Sequence, residues 1–242
     1  MDPVRWYFAR VTKMLIATRN LHKVGEIQAI LGGGFQMLTL KDFPEAPKVV
    51  EDAETFAGNA QKKAEQLAQW LEAKPSRMSC HPSLAFVLAD DSGLEVDALE
   101  GAPGVYSARF AAPNNHENST DAENNAKLMR LLKDVAPEKR SARFHCAVAV
   151  VRIATADNSP LNSSPVCHAV APLPKPLIFH GVCEGKIMEA GSGIGGFGYD
   201  PLFVPTGFDQ TFAELGDEIK NQLSHRAKAL AKLKDYFNKL AI

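Results

Sequence analysis

Apolar positions along the chain recur in two periods, and together they predict alternating strands and helices. Residues 14–18 (Met-Leu-Ile-Ala-Thr) form an apolar run of strand length. Val24, Ile27, Ile30 and Leu31 then recur at helical spacing until Gly32-Gly33-Gly34 stops the pattern. A second helix is predicted over residues 54–72, with Phe56, Ala60, Ala64, Leu67 and Leu71 as its apolar stripe. Residues 84–89 read as a buried strand, and residues 94–99 alternate as a half-exposed continuation. Ser119-Thr120-Asp121 is a helix start for a segment reaching Lys133. Residues 143–153 and 181–187 read as strands, and a last helix is expected over 218–240. Strands and helices alternate early and two strands follow one another late, which predicts an α/β fold with a mixed sheet.

Composition narrows the class. A chain of 242 residues with 45% hydrophobic and 23% charged positions is ordinary for a globular protein of one large domain or two lobes. A net charge of -1 supplies no general attraction for nucleic acid or an anionic membrane, so neither is expected as a partner. No apolar stretch has the length needed to cross a bilayer. Cys80, Cys146, Cys167 and Cys183 have no short paired spacing, and no secretory signal precedes them, so a reducing cytoplasm is expected. Residues 1–13 read as an N-terminal extension to a domain at 14–242. Residues 155–179, rich in Pro, Ser and Asn, read as an exposed excursion between two strands, and 77–82 as a smaller insertion.

The candidate chemistry centres on Asp90-Asp91-Ser92-Gly93, where the run from Leu84 ends. Acids are costly inside a strand, so the pair is expected at its exposed carboxyl end, where α/β folds place their chemistry. Hard oxygen ligands there suit Mg²⁺, with substrate phosphates completing its octahedron. The segment Thr18-Arg19-Asn20-Leu21-His22-Lys23 joins a strand to a helix; it reads equally as a phosphate site and as a capped helix start. Asn59 and Lys63 share one helical face, with Glu51 nearby in sequence. The turn at 101–106 is followed by Ser107 and Arg109, which are placed to face a cleft. Gly195-Gly196-Phe197-Gly198-Tyr199-Asp200 combines close-approach backbone with a ring able to stack on a base. Lys220, His225 and Arg226 offer hydrogen-bond donors, which suit keto oxygens and purine N7 better than the exocyclic amine of adenine.

Taken in order, Ala-Thr-Arg-Asn-Leu-His-Lys, Ala-Asp-Asp-Ser-Gly-Leu-Glu-Val-Asp, Gly-Ala-Pro-Gly-Val-Tyr-Ser-Ala-Arg, Gly-Gly-Phe-Gly-Tyr-Asp-Pro and Leu-Ser-His-Arg-Ala resemble the inosine triphosphate pyrophosphatase family. The resemblance spans residues 14–240. It implies an elongated mixed sheet with flanking helices, two lobes around a nucleotide-binding cleft, and usually a homodimer. It also implies Mg²⁺-dependent hydrolysis of ITP, dITP and XTP to the monophosphate and pyrophosphate. By that likeness Thr18 to Lys23 hold the triphosphate with Lys63 nearby, and Asp91 is the proton acceptor and metal-associated acid. Ser92 matches a substrate contact, and Glu51 falls near a metal-binding acid. Phe197, Gly198, Tyr199 and Asp200 match the nucleoside loop, and Lys220, His225 and Arg226 match the residues that recognise the base. Whether Asp91 or Asp90 takes the proton is open at this point. Arg19 stands where many members have Gly. The contrasting expectations are a triphosphate sensor without turnover, a pyrophosphatase for other nucleotides, and a nucleic-acid module; the Asp90-Asp91 pair disfavours the first and the balanced charge the last.

Overall fold

The structure is a computed structural model that describes residues 13–73, 75–79, 81, 84–113, 117–153 and 175–240. Most of the excursion at 155–179, residues 1–12, Cys80 and Cys167 lie outside these residues. Strand β1 (Lys13–Ile16) leads into α1 (Leu21–Leu31), then β2 (Gln36–Thr39) and α2 (Phe56–Glu72). Next come β3 (Leu84–Val96), α3 (Asp121–Leu131), β4 (Ser141–Arg152), β5 (Leu177–Ile187), β6 (Phe203–Pro205), α4 (Phe212–Leu223) and α5 (His225–Leu240). The strands form one sheet in the order β2-β1-β3-β4-β5-β6. β1 is parallel to β2 and β3, while β3, β4, β5 and β6 pair antiparallel in succession. The mixed sheet is as expected.

Helix α2 covers one face: Ala60, Ala64, Leu67 and Leu71 pack with Leu15, Val87, Ala89 and Ala149. Helices α1 and α5 cover the other, where Ile27, Leu31, Leu230 and Leu233 meet Met14, Ile16, Leu88 and Val148. Each fully buried leucine contributes about 2 kcal/mol of transfer free energy, so these two faces anchor the sheet. A third cluster, containing Leu94, Val96, Phe144, Tyr199, Phe203 and Phe212, builds the far end of the long strands. The cleft lies where these regions meet.

Several elements differ from the sequence expectation. The strand beginning at Leu84 does not stop at the acids; it runs on to Val96, and Asp90 and Asp91 pair with Val148 and Ala147 of β4. The expected exposed end is instead the end of β1, whose last ladder partner in β3 is Leu88. Past that residue β4 is the one named strand paired with β3 among the described residues, and the acids lie beside the β1–α1 junction. The single last helix is two, because Ser224 is extended (φ -66°, ψ 165°) and its hydroxyl accepts from Ala227 N at 3.2 Å. β2 and β6 were not anticipated, and the first strand begins at Lys13, one residue inside the expected extension.

Candidate active site

The β1–α1 junction is a capped helix start: Asn20 Oδ1 accepts from His22 N (2.9 Å) and Lys23 N (3.2 Å). The cap aims Lys23 across the end of β1, where its Nζ meets Asp90 Oδ1 at 2.5 Å. Asp90 is fully buried and surrounded by donors. Ser92 Oγ (2.8 Å), Cys146 Sγ (3.0 Å) and Arg226 Nε (3.1 Å) all reach its Oδ2. Burial alone would raise its pKa, but Arg226 and Lys23 hold it well below the usual carboxylate range. Arg226 also pairs with Glu26 of α1, which joins Lys220 Nζ at 2.7 Å; Lys220 in turn meets Asp200 Oδ2 at 2.5 Å. A chain of paired charges thus ties α1, β3 and the start of α5 together.

Asp91 points to the α2 side and has a different environment. Its Oδ1 accepts from Lys63 Nζ (3.1 Å) and its Oδ2 from Asn59 Nδ2 (3.2 Å). Lys63 Nζ also donates to Glu51 Oε2 and to the Asp90 carbonyl, both at 2.8 Å. Burial and the neighbouring Glu51 charge push the Asp91 pKa up to about 6, against the opposing pull of Lys63 and Lys23. The side-chain Oδ1 of Asn59 accepts from Ala53 N at 2.9 Å, fixing the segment that follows Glu51. Gly93 is required beside this pair, since a Cβ there would lie 2.5 Å from both Gly104 O and Ser107 Oγ. Ser107 is occupied in turn, accepting from Leu94 N at 2.9 Å and donating to Gly104 O at 2.6 Å.

These groups border a cleft of about 310 Å³. Thr18, Arg19, Asn20, Lys23, Glu51, Lys63, Asp91, Ser92, Ser107, Arg109, Phe197, Gly198, Tyr199, Asp200, Lys220, His225 and Arg226 all line it. Leu21, His22, Asn59 and Asp90 do not; Leu21 is exposed, and Asn59 and Asp90 stand behind the lining. His22 reaches the site indirectly, stacking on Phe197 with ring centroids 5.2 Å apart. Lys220 Nζ lies 4.4 Å from the centre of the Phe197 ring. The Phe197 turn is closed by its own N–H donating to Asp200 Oδ2 at 2.8 Å, with Gly196 at φ +71°. His225 stacks on Phe144 (4.7 Å, 13°), and its buried Nδ1 has no hydrogen-bond partner among the described residues. Burial, with Arg226 and Lys220 adjacent, holds its pKa well below the usual histidine range, so the ring is neutral and keeps one acceptor nitrogen.

A family model for the Ham1 family matches residues 14–236. The chain belongs to the Ham1 family. It is 43% identical over 235 residues to a dITP/XTP pyrophosphatase of Desulforamulus reducens, covering 95% of this chain and 98% of that protein. A dITP/XTP pyrophosphatase of Geobacter sulfurreducens is 43% identical over 227 residues, covering 93% and 96%. Among solved structures, a HAM1 protein from Coxiella burnetii superposes with a TM-score of 0.71 at 33% identity, covering 95% of this chain and all of that one. The likeness thus includes all the site segments at once.

Sequence reasoning missed Glu26 and Cys146. Glu26 stands three residues after Lys23 and next to apolar Ile27, an acid facing inward on an otherwise apolar stripe. That misplaced charge was its only signal. Cys146 reads as a small apolar core residue, and nothing in its surroundings along the chain indicates Asp90 as its partner.

Proposed function

We propose that this protein hydrolyses non-canonical purine nucleoside triphosphates, namely ITP, dITP and XTP, to the monophosphate and pyrophosphate. The observation that carries this reading is Asp91, a cleft-facing carboxylate of pKa about 6 beside Lys63 and Glu51, opposite the ring and donors of Phe197, Lys220 and Arg226. The names of the Desulforamulus and Geobacter relatives favour the same substrates.

Asp91 is the base. It takes the proton of the attacking water, a task suited to a carboxylate whose pKa has been moved toward neutrality. Asp90 is disfavoured for that role because its oxygens are saturated by donors and it does not line the cleft. It instead orients Lys23 and Arg226. Lys23 and Lys63 place positive charge beside the phosphates, where it stabilises the charge that shifts during cleavage.

Mg²⁺ fits the same corner. Asp91 and Glu51 present two carboxylates that share a single lysine ammonium, so positive charge is already favoured between them. Such a pair suits an ion that takes one or two carboxylates and completes its shell with phosphate and water. When bound, the ion neutralises phosphate charge and polarises the scissile anhydride.

Phe197 stacks on the base, and His225, Lys220 and Arg226 read its edge. A keto group accepts from such donors, whereas an exocyclic amine turns further N–H groups and no acceptor toward this cationic corner. A homodimer in the cytoplasm, acting on the nucleotide pool, completes the proposal. No helix among the described residues is long and apolar enough to cross a membrane.

The test is product analysis by anion exchange after incubation with ITP and XTP, with Mg²⁺ or with EDTA. The expected products are monophosphate and pyrophosphate in equal amounts, with Mg²⁺ only. Release of orthophosphate with a nucleoside diphosphate would overturn the assignment of the cleaved bond.

A further inference from the structure

Helix α3 meets the Phe197 turn at a single residue. Asp121 Oδ2 accepts from Gly198 N at 2.7 Å, and Asn125 Nδ2 donates to Gly198 O at 3.0 Å, across 77 and 73 residues of sequence. Asp121 and Asn125 stand four apart in α3 and so share one face of it. One helix face thus takes both backbone polar groups of one glycine. Asp121 lines the cleft, whereas Asn125 stands behind it.

The needs of α3 alone account for Asp121 but not for Asn125. An acid in the first turn suits the helix dipole whatever it faces. Asparagine inside a helix is a poorer helix former than alanine, and the buried Oδ1 of Asn125 has no hydrogen-bond partner among the described residues. Both features cost stability, and the Nδ2 of the same amide is committed to Gly198. The helix that carries the two residues is itself firmly held. Thr120 and Glu123 close its start with a capping box, Asn124 Oδ1 accepts from Ala111 N at 2.8 Å, and Leu128 is buried in the cluster that contains Tyr199. Such an element fixes what it touches more precisely than a loop can.

The consequence falls on Phe197. Its own N–H donates to Asp200 Oδ2, which sets the peptide plane before it. The Gly198 N–H belongs to the peptide plane after it, and Asp121 sets that one. With both planes fixed, the direction in which the Phe197 side chain leaves the backbone is fixed as well. Gly198 sits at φ +64° with open space where a Cβ would lie, so it has no packing of its own to hold it. The grip of α3 replaces that packing.

We propose that Asp121 and Asn125 are positioning residues for nucleoside recognition: from α3 they hold Gly198, and through it they aim the Phe197 ring at the purine base. This rests on the reading of Phe197 as the surface on which the base stacks. Their effect falls on nucleoside binding and not on the chemistry at Asp91.

Calorimetry on the full chain tests it, with inosine monophosphate and inorganic pyrophosphate titrated separately in the presence of Mg²⁺. Asp121→Ala and Asn125→Ala are each expected to weaken monophosphate binding by about fivefold, the scale of one lost hydrogen bond, and to leave pyrophosphate binding within about twofold. Asp121→Asn keeps an acceptor oxygen and should restore most of the loss. With ITP as substrate, the alanine variants should raise KM and leave kcat within about twofold of the wild type. The deciding comparison uses a Phe197→Ala background, where adding Asn125→Ala should cost no further monophosphate affinity, because its effect passes through the ring. Additive losses in that background would overturn the proposal. So would unchanged monophosphate binding in both alanine variants, or an equal loss for both ligands, which is the signature of a site loosened as a whole. A wild-type protein that binds no inosine monophosphate would overturn it too, since Phe197 would then have no base to face. Asn125→Ala is expected to fold, alanine being the better helix former, and thermal melts verify this for each variant. Wild-type turnover of ITP is measured in parallel: its absence, with the coupling to Phe197 intact, would remove the pyrophosphatase reading and keep the positioning role.

Discussion

Replacing Asp91 with Asn separates function from stability, and the two effects have opposite signs. Burial and Glu51 raise the Asp91 pKa from 3.8 to about 6, so the folded protein binds its proton more tightly than the unfolded chain does. Between those values the folded state carries more protons, and stability falls as pH rises through the interval. Above about pH 7 the ionised side chain therefore costs stability. At about 1.36 kcal/mol per pKa unit, a shift of this size amounts to roughly 3 kcal/mol, an upper bound because Lys63 also loses an ionic partner in the variant. Asp91→Asn avoids that cost. Urea unfolding of both proteins at pH 4, 6 and 8 should show the variant's advantage growing from near zero at pH 4 to about 1–3 kcal/mol at pH 8. Turnover should be lost while nucleotide affinity persists. A variant less stable than the wild type by the same amount at every pH would refute the claim that Asp91 is a strained carboxylate. Persisting turnover would refute its role as base.

Arg226→Ala should destabilise the protein by about 3–5 kcal/mol in urea unfolding, because it leaves Asp90 and Glu26 buried beside fewer cations. Phe197→Ala should raise the KM for ITP about tenfold, the equivalent of about 1–3 kcal/mol of lost stacking, with less effect on kcat. Gly93→Ala should lower the melting temperature and activity together, since its Cβ meets the Gly104 carbonyl at 2.5 Å; overpacking of this kind costs about 1–3 kcal/mol. An unchanged melting temperature would contradict the close approach seen there.

Much of the architecture was legible because it rests on local signals. The apolar stripe of α2 predicted its buried face, and Ser-Thr-Asp before α3 predicted a start that the structure closes with a capping box at Thr120 and Glu123. Many of the residues lining the cleft were readable because their side-chain types are chemically specific and fall in short segments, whereas Pro47, Lys48 and Asn124 gave no such signal. What was not legible depends on distant partners. Asp90 and Asp91 looked incompatible with a strand interior, yet β3 passes through them because Arg226, 136 residues away in sequence, and Lys23 neutralise Asp90, while Lys63 and Asn59 hold Asp91. The spacing that puts Asn59 on one helical face with Lys63 gives no sign that its amide bonds Asp91 and Ala53. The break between α4 and α5 was hidden because Ser224 interrupts a pattern whose apolar spacing continues on both sides. β6 is three residues long and ends in Pro205, too short for any alternation to register.

The central claim is that donors at Lys220, His225 and Arg226 select keto purines for cleavage at a site served by Asp91. Its most direct test is kcat/KM for ITP and XTP against ATP, measured as pyrophosphate release at saturating Mg²⁺. The account predicts a preference of about a hundredfold or more for ITP and XTP, because the amine of adenine turns donors toward this cationic corner. Equal values for all three nucleotides would contradict it.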